Sequence, residues 1–292
     1  MGGATQADVT GPIEEQPSLW QQSDLLSLVS ATPALSPAAQ PKQVVARDPS
    51  PSNRDPQPRS APINLLILDT ETTGLEPVSA QCIEVGAVLF HVPSRSVLSQ
   101  VSFLLPAPAN PAEHVNGIAA EVTRLSQPWQ AGLQHFLALL AGADAVLAHN
   151  AAFDAKWFGL GPLPPVDKPW ICSMDDIEWP PERHLRTSPS VRDLALAYGV
   201  PVWAAHRALT DCTYLVQVLE RCDNLEDLLA AATEPKLLYR ANLPYAERHK
   251  AKQAGFRWNE PVRGAWSRRL SERQALALAF EVQRVEADSQ VA

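Results

Sequence analysis

Residues 63–75 of the 292-residue chain read INLLILDTETTGL, and this stretch decides the fold. Residues 63–68 are apolar except for Asn64. A short run that is apolar on both faces is typical of a central strand that other elements cover on both sides. Because side chains alternate along a strand, Asp69 and Glu71 point to the same face. Two like charges at the end of an apolar strand repel each other unless a cation lies between them. A metal site is therefore one interpretation, and an ordinary pair of surface acids at a strand exit is the other.

The rest of the chain predicts a mixed sheet with helices packed against it, because strands come first and helices then alternate with strands. Strands are predicted at 81–90, 97–105 and 145–148, and helices at 129–140, 151–158, 190–198 and 208–222. Ser190 and Asp193 have the spacing of a capping box, and Gly199 is expected to end that helix.

Proline content separates the N-terminal part from the rest. Ten of the 27 prolines fall in the first 62 residues, together with many Ser, Gln and Ala. That composition cannot bury enough apolar surface to offset chain entropy, so we expect residues 1–61 to form a disordered arm. Residues 19–29 within it could dock as a helix on a partner such as a polymerase or repair protein, or could be only an apolar patch in a flexible tail.

The net charge of −8 conceals an uneven distribution. Residues 62–235 hold nine basic and 20 acidic side chains, which gives −11, whereas residues 236–274 hold ten basic and three acidic side chains, which gives +7. An acidic middle joined to a short basic segment is not typical of one uniform domain. We predict a main domain over 62–228 and a small basic module over 236–285.

Several cellular settings are disfavoured by the sequence. No apolar run approaches eighteen residues, so no transmembrane helix and no membrane partner are expected. Residues 1–10 lack the pattern of a secretory signal, and Gln6 departs from the myristoylation pattern. The four cysteines form no C-x-x-C pair, which argues against a zinc ribbon or a disulfide framework. The expected compartment is a reducing one, and the expected location is cytoplasmic.

Two further acids and a histidine lie in informative positions. Asp211 precedes an apolar helical stripe, and Asp154 follows Phe153 after a short buried strand, so both carboxylates should be partly buried and need partners. An N-terminal helix cap is the alternative for Asp211. His206 lies five residues before Asp211, which would put the two on different faces of one helix. If they cooperate, His206 must lie on a loop; otherwise it is an ordinary exposed histidine.

In this order and with these neighbours, the residues resemble the DEDDh family of 3′–5′ exonucleases, which includes the proofreading subunit of bacterial DNA polymerase III. The family motifs D-x-E-T-T-G-L, H-N-A-x-F-D and H-x-A-x-x-D stand here as DTETTGL at 69–75, HNAAFD at 149–154 and HRALTD at 206–211. The match covers roughly residues 63–222. The resemblance implies a ribonuclease H-like α/β fold with a mixed five-stranded sheet flanked by helices.

The resemblance also implies roles for individual residues. Two Mg²⁺ ions, with Mn²⁺ as a substitute, would be held by the four acids Asp69, Glu71, Asp154 and Asp211, and hard oxygen ligands suit these ions. His206 would be the general base that takes a proton from the attacking water. The terminal nucleotide would be contacted by Thr72, Leu75, His149, Asn150 and Phe153. Glu84 is expected either to support the ligands or to be structural.

The leading hypothesis is a metal-dependent exonuclease that releases nucleoside 5′-monophosphates from single-stranded 3′ ends of DNA, in repair or proofreading. An RNA 3′-end-trimming enzyme is one alternative, because no motif reads a 2′-hydroxyl. The other is a catalytically inactive nuclease fold that serves as a nucleic-acid-binding module or polymerase accessory.

Residues 236–274 of the basic module contain ten Lys or Arg and five aromatic residues, Tyr239, Tyr245, Phe256, Trp258 and Trp266. The sequence predicts a helix end and hairpin over 251–259 and 264–269, and a closing helix over 271–285. Cations among aromatic side chains suit nucleic-acid binding. The segment is similar to one appended to some bacterial exonucleases of this family, such as exodeoxyribonuclease X. A small structural cap with its own core is the alternative.

Overall fold

The computed structural model describes residues 60–204 and 206–285. The first sheet has the strand order β3-β2-β1-β4-β5. Its strands are β1 (Asn64–Thr72), β2 (Cys82–His91), β3 (Ser96–Leu104), β4 (Ala145–Ala148) and β5 (Trp170–Cys172). β1 to β3 form an antiparallel meander, and β4 and β5 continue the sheet in parallel with β1. The predicted mixed five-stranded sheet of ribonuclease H-like topology is confirmed.

Helices cover both faces of this sheet, as the apolar run at β1 requires. They are α1 (Glu113–Asn116), α2 (Ala120–Thr123), α3 (Trp129–Gly142), α4 (Ala151–Ala155), α5 (Val191–Ala197), α6 (Ala208–Glu220) and α7 (Leu225–Ala232). Leu65 and Ile67 are fully buried in one core with α5, α6 and α7, while Leu66 and Leu68 are fully buried in a second core with α3. β1 is therefore the doubly covered central strand that its sequence predicts.

The C-terminal residues form a second, smaller sheet with the order β7-β8-β6-β9. Its elements are β6 (Leu237–Ala241), α8 (Arg248–Gln253), β7 (Arg257–Trp258), β8 (Trp266–Leu270), α9 (Glu272–Leu276) and β9 (Val282–Arg284). Every strand pair is antiparallel, and the core is centred on Ala251, Phe256 and Leu270. The predicted α+β module is confirmed in its architecture.

The predicted closing helix over 271–285 is wrong. A capping box at Ser271 and Gln274 starts α9, but the helix ends at Leu276. Beyond it, Phe280 packs against Phe256 with ring centroids 5.6 Å apart, and β9 pairs with the edge of β6. Pairing the exposed edge of β6 satisfies backbone groups that a longer helix would have left open to solvent.

The predicted helix over 151–158 is also shorter in the structure, because α4 ends at Ala155. Trp157 and Phe158 are buried beyond its end, and the Phe158 ring stacks on Phe136 of α3 at 5.6 Å. Gly159 then adopts a left-handed conformation with φ of 90°, which turns the chain. Burial of two large aromatic side chains thus outweighs continuation of the helix.

The basic module contacts an acidic loop of the main domain, residues 175–178. Arg257 pairs with Asp175 at 2.9 Å, and Lys236 pairs with Asp176 at 2.5 Å. Arg273 reaches Glu178 at 3.1 Å. Part of the positive charge that distinguishes the module in the sequence is therefore neutralised by the main domain itself.

Two further expectations meet the structure only in part. Residues 1–59 of the predicted N-terminal arm, with the candidate docking segment at 19–29, lie outside the described residues. Across 60–204 and 206–285, no helix combines the length and the apolar character needed to cross a membrane. The domain boundaries at 62–228 and 236–285 stay predictions.

Gly86 of β2 permits the close approach of α6, and replacing it should disturb the fold. A Cβ at this position would lie 2.3 Å from the backbone nitrogen of Leu209, which cannot move aside as a side chain can. We expect Gly86→Ala to lower the free energy of unfolding by about 1–3 kcal/mol or more. Urea unfolding measures this change.

The matched control is Gly142→Ala at the end of α3, where the nearest atom to an added Cβ is a flexible Leu89 carbon at 3.7 Å. This variant should be neutral or slightly stabilising, by up to about 1 kcal/mol, because alanine favours helix. Equal losses in both variants would contradict the close-approach argument.

Candidate active site

The candidate site lies where β1 extends past its neighbour β4. Leu68 of β1 pairs with Ala148, the last residue of β4, so residues 69–72 pair with a neighbouring strand only on the β2 side. The chain leaving β4 turns at Asn150, which has a left-handed φ of 63°, and begins α4. The sheet is thus open on one side of β1, at the carboxyl ends of two parallel strands, where clefts form in α/β folds.

Three of the predicted ligands meet in this opening. The carboxylates of Asp69, Glu71 and Asp211 each offer an oxygen, and these three oxygens lie within 4.8 Å of one another. Asp69 and Glu71 share a face of β1, and Asp211 reaches that face from the first turn of α6. The predicted apolar stripe that follows Asp211 is buried and holds α6 against the sheet.

Asp154, the fourth predicted ligand, lies beside this three-acid cluster and is 1% exposed. Its Oδ1 accepts hydrogen bonds from the Thr70 backbone N–H at 3.0 Å and the Thr70 hydroxyl at 2.7 Å. Its Oδ2 is buried without a hydrogen-bond partner among the described residues. A buried carboxylate oxygen without a partner is costly, and a bound cation would remove that cost.

The pKa values of these acids are raised, in line with a site that lacks positive charge. Burial raises the pKa of Asp69 well above its usual range, and the charges of Asp154, Asp211 and Glu71 raise it further. Burial raises the pKa of Glu71 to about 8, with a smaller contribution from Glu84. The pKa of Asp154 is raised to about 7 by burial, against the hydrogen bonds from Thr70.

His206 lies on the loop that leads into α6, as its spacing from Asp211 requires. Its backbone is left-handed, with φ of 60°, and its side chain is exposed. The backbone N–H of His206 donates to Asp211 Oδ2 at 3.1 Å. The Tyr214 hydroxyl holds the same loop by accepting the N–H groups of Trp203 and Ala204, each at 2.9 Å.

Arg207 anchors the other side of this loop, a role that the sequence reasoning missed. Its guanidinium donates two hydrogen bonds to Glu84, at 3.0 and 3.1 Å, and Glu84 is 2% exposed. Glu84 lies opposite Glu71 in the β1–β2 register, so Arg207 also offsets a like-charge cross-strand pair. Glu84 is expected either to support the ligands or to be structural. In the structure it contacts Arg207, which belongs to the loop that carries His206.

The predicted substrate-binding residues lie at or shortly after the end of β1 and in the chain between β4 and the middle of α4. His149 is hydrogen-bonded through Nδ1 to the Ser173 hydroxyl at 2.9 Å, and burial lowers its pKa to about 4, so its ring is neutral near pH 7. The Thr72 hydroxyl donates to the Gly74 carbonyl at 2.7 Å. The Leu75 side chain is 73% exposed.

Lys156 is a second residue that the sequence reasoning missed. Its ammonium group lies 4.7 Å from the centre of the Phe153 ring, and it donates to the Leu75 carbonyl. It also lies 3.8 Å from Glu76. Lys156 therefore joins two predicted substrate contacts that come from different motifs.

The fold and the carboxylates together define the class: a ribonuclease H-like α/β sheet with Asp69 and Glu71 at the end of its first strand and Asp211 beside them. The resemblance to the DEDDh 3′–5′ exonucleases, predicted from the three motifs, is confirmed.

Comparison with known proteins gives partial matches. The chain is 27% identical over 180 residues to the PolC-type DNA polymerase III of Thermotoga petrophila, and 27% identical over 176 residues to that of Thermotoga maritima. Each match takes in 53% of this chain but only 12% of the relative. The chain thus spans a small part of the curated relatives that it matches.

Three solved structures are similar to the chain at low identity. Exonuclease X in complex with 5′-overhanging duplex DNA is 25% identical, with 58% of this chain and 99% of that chain covered and a TM-score of 0.44. The nuclease domain of 3′hExo, a DEDDh family member bound to rAMP, is 16% identical, with 57% and 94% covered and a TM-score of 0.47. E. coli exonuclease I with a dT13 oligonucleotide is 16% identical, with 61% and 48% covered and a TM-score of 0.45.

A family model covers the C-terminal module alone. It is described as a domain of unknown function, DUF8626, and matches residues 237–285. The match begins at the first residue of β6 and ends one residue after β9.

The raised pKa values predict that the metal-free protein loses stability between pH 6.5 and 8. Glu71 and Asp154 hold protons in the folded state up to pH values of about 8 and 7, whereas their usual values are 4.5 and 3.8. The folded state then binds more protons than the unfolded state, so stability falls as pH rises through the folded pKa values. The pKa of His149 is lowered in the folded state, so its protonation affects stability in the opposite direction, and it does so below its usual pKa of 6.5. The change in stability between pH 6.5 and 8 therefore comes from the acids.

Thermal unfolding in a chelator measures this effect, and addition of Mg²⁺ should raise the Tm more at pH 8 than at pH 6.5. Glu71→Gln should flatten the pH dependence and reduce the Mg²⁺ shift. A Tm that is constant over this window in the chelator would be inconsistent with repulsion among these acids.

Because Arg207 and Glu84 form an ion pair, replacing Arg207 should lower the free energy of unfolding, and a second substitution at Glu84 should reverse most of that loss. Arg207→Ala leaves the buried Glu84 carboxylate without its charged partner, so we expect a loss of about 1–3 kcal/mol in the free energy of unfolding. Glu84→Gln in that background should recover most of it, since the charge is removed. Arg186→Ala is the control, because its partner Asp193 is substantially exposed and such pairs contribute about 0–1 kcal/mol. Equal losses for the two arginines would refute the assignment.

Proposed function

We propose that this chain is a metal-dependent 3′–5′ exonuclease that releases nucleoside 5′-monophosphates from the 3′ end of DNA. The observation that carries the proposal is that one carboxylate oxygen from each of Asp69, Glu71 and Asp211 lies within 4.8 Å of the other two. The Oδ2 of Asp154, which has no hydrogen-bond partner among the described residues, lies beside them. Such a concentration of carboxylates is unfavourable without cations, and their oxygen atoms are the ligands that Mg²⁺ prefers.

The donor set fits a pair of divalent cations held by Asp69, Glu71, Asp154 and Asp211, with Mg²⁺ as the ion and Mn²⁺ as a substitute. Four carboxylates carry four negative charges, so two divalent cations would make the site neutral. When bound, such ions stabilise the negative charge that develops on the attacking and leaving oxygens at phosphorus.

His206 is the proposed general base. In the hydrolysis, an oxygen–phosphorus bond forms from water and a ring nitrogen of His206 takes a proton from that water. The bond from phosphorus to the 3′ oxygen of the preceding nucleotide breaks, and that oxygen takes a proton from solvent water to become the new 3′-hydroxyl. His206 is exposed on the loop before α6, and its backbone N–H contacts Asp211. The Asp211 and Tyr214 contacts restrain the backbone of that loop.

The predicted substrate contacts would hold the terminal nucleotide in the same opening. The exposed Leu75 side chain offers an apolar surface to a base, and neutral His149 can exchange hydrogen bonds without adding charge. Asn150 and Phe153 adjoin the start of α4, which carries Asp154. A role in repair or proofreading is part of the proposal, as is preference for single-stranded DNA ends over RNA.

His206→Ala should lower kcat by about 10²–10⁴ while oligonucleotide binding in a chelator is retained, because the general base is lost but the cleft is not. Mass analysis of products from end-labelled single-stranded DNA, duplex DNA and RNA, with and without Mg²⁺, measures the activity. Asp211→Ala should abolish Mg²⁺-dependent nucleotide release. His135→Ala, at an exposed position on α3, is the matched control and should leave kcat unchanged.

The same assay decides among the alternatives. Release from RNA alone would identify a 3′-end-trimming ribonuclease, and binding without release from any substrate would identify an inactive nuclease fold. Full activity in Asp211→Ala would reject the assigned site.

A further inference from the structure

The basic module presents a surface of cations and aromatic rings that the proposed chemistry does not use. We define this aromatic–basic surface as Tyr245, Arg248, His249, Lys252, Trp258 and Trp266. Part of it is a concavity of about 430 Å³ lined by Ala246, Arg248, His249, Lys252 and Trp266. None of these lining residues is acidic, in contrast to the acidic main domain.

The cations of this surface are not the ones that dock the module. Lys236, Arg257 and Arg273 are paired with the acidic loop 175–178. The Lys252 ammonium group has no hydrogen-bond or ion-pair partner among the described residues, and the residue is exposed, one helical turn from Arg248 on the same face of α8. These two positive charges are therefore available to an anionic partner.

Arg248 is preorganised by its neighbour. Its guanidinium lies 4.0 Å from the centre of the Tyr245 ring and donates to the Tyr245 carbonyl at 3.0 Å. A guanidinium has five N–H donors, so this arrangement fixes its plane and leaves donors for a phosphate. Holding the side chain in advance reduces the entropy lost on binding.

Two of the three aromatic residues of this surface, Tyr245 and Trp258, are largely exposed, whereas Trp266 packs in part against the core of the module. Phe256, not a tryptophan, is the buried ring of that core, at 3% exposure. Trp258 is 56% exposed and Tyr245 is 79% exposed, although each could contribute substantial hydrophobic free energy if buried. Trp258 also adjoins Trp266, with ring centroids 5.7 Å apart. Exposed ring faces beside cations are suited to stacking with bases.

We propose that the aromatic–basic surface binds single-stranded nucleic acid, with Arg248 and Lys252 on phosphates and Trp258 and Trp266 stacking on bases. The concavity is within the range of roughly 300–1,000 Å³ of small-molecule sites, enough for a nucleotide. The assignment of that strand as substrate upstream of the 3′ end rests on the proposed exonuclease function, whereas binding itself does not.

The module is fixed to the main domain, so a strand in the proposed active site can contact the aromatic–basic surface as a second binding place. Ion pairs of 2.5–3.1 Å fix the module to the acidic loop that follows β5. A strand bound at both places gains from the high effective concentration of the second contact, and a strand too short to reach both places does not. The surface should therefore act on long substrates and be indifferent to very short ones.

The test is binding of fluorescein-labelled oligo-dT of 30 and of 4 nucleotides to the full chain in a chelator, so that no strand is degraded. Arg248→Ala/Lys252→Ala should weaken binding of the 30-mer at least tenfold and reduce the salt slope, d log K/d log[salt], by about 1.4 in magnitude, or 0.7 for each lost phosphate contact. Trp258→Ala should weaken it roughly 5- to 150-fold, and Trp258→Phe should retain most of the affinity. Binding of the 4-mer should change less than twofold.

Lys250→Ala is the control, because it removes one positive charge from the opposite face of the same helix, where Lys250 pairs with Glu247. This control should change 30-mer affinity less than twofold, and urea midpoints should confirm that all variants fold. Equal losses for Lys250→Ala and for the double variant, or unchanged binding in the double variant, would overturn the proposal. So would tighter binding of poly-glutamate of matched charge, which would indicate an acidic protein partner.

These outcomes are separable from those of the exonuclease assay. Weaker 30-mer binding in the variants, with no Mg²⁺-dependent release by the unmodified chain, would support the surface and refute the exonuclease. Normal release with unchanged binding in every variant would refute the surface alone.

Discussion

Electrostatic repulsion among carboxylates is the constraint on which the site depends. Three acids whose oxygens lie within 4.8 Å cannot all stay ionised in a half-buried opening unless donors or cations compensate. The chain supplies some donors: Thr70 gives two hydrogen bonds to Asp154, and the His206 N–H gives one to Asp211. The oxygens that these donors leave unsatisfied, above all Asp154 Oδ2, are the positions that cations would fill.

The contact between α6 and β2 places these acids together. Gly86 lets the first turn of α6 approach the strand at backbone distance, and the buried stripe behind Asp211 keeps the helix there. The same helix contributes Tyr214, which restrains one side of the His206 loop, while Arg207 restrains the other through Glu84. One helix–strand contact therefore sets the position of a ligand and of the proposed base, because both follow from where α6 begins.

The sequence predicts those features whose signal is local. The strand at 63–68, the shared face of Asp69 and Glu71, and the stripe of α6 follow from periodicity alone. Glu84 and Arg207 lie 123 residues apart, and no local pattern marks two such residues as partners. The errors at 151–158 and 271–285 have a related cause. Their helical patterns are real, but burial of Trp157 and Phe158 and pairing along β6 give more stabilisation than further helical turns.

The module shows why net charge alone is a poor guide to nucleic-acid binding. A segment of +7 suggests a uniformly attractive surface, yet several of its cations face the acidic loop 175–178 and are neutralised there. What distinguishes Arg248 and Lys252 is their position on a face without acids, beside exposed rings. Lys236, Arg257 and Arg273 have a different effect, since they hold the module against the acidic loop that follows β5. Attraction of a polyanion to a domain of −11 thus depends on where the uncompensated cations lie, not on how many the segment contains.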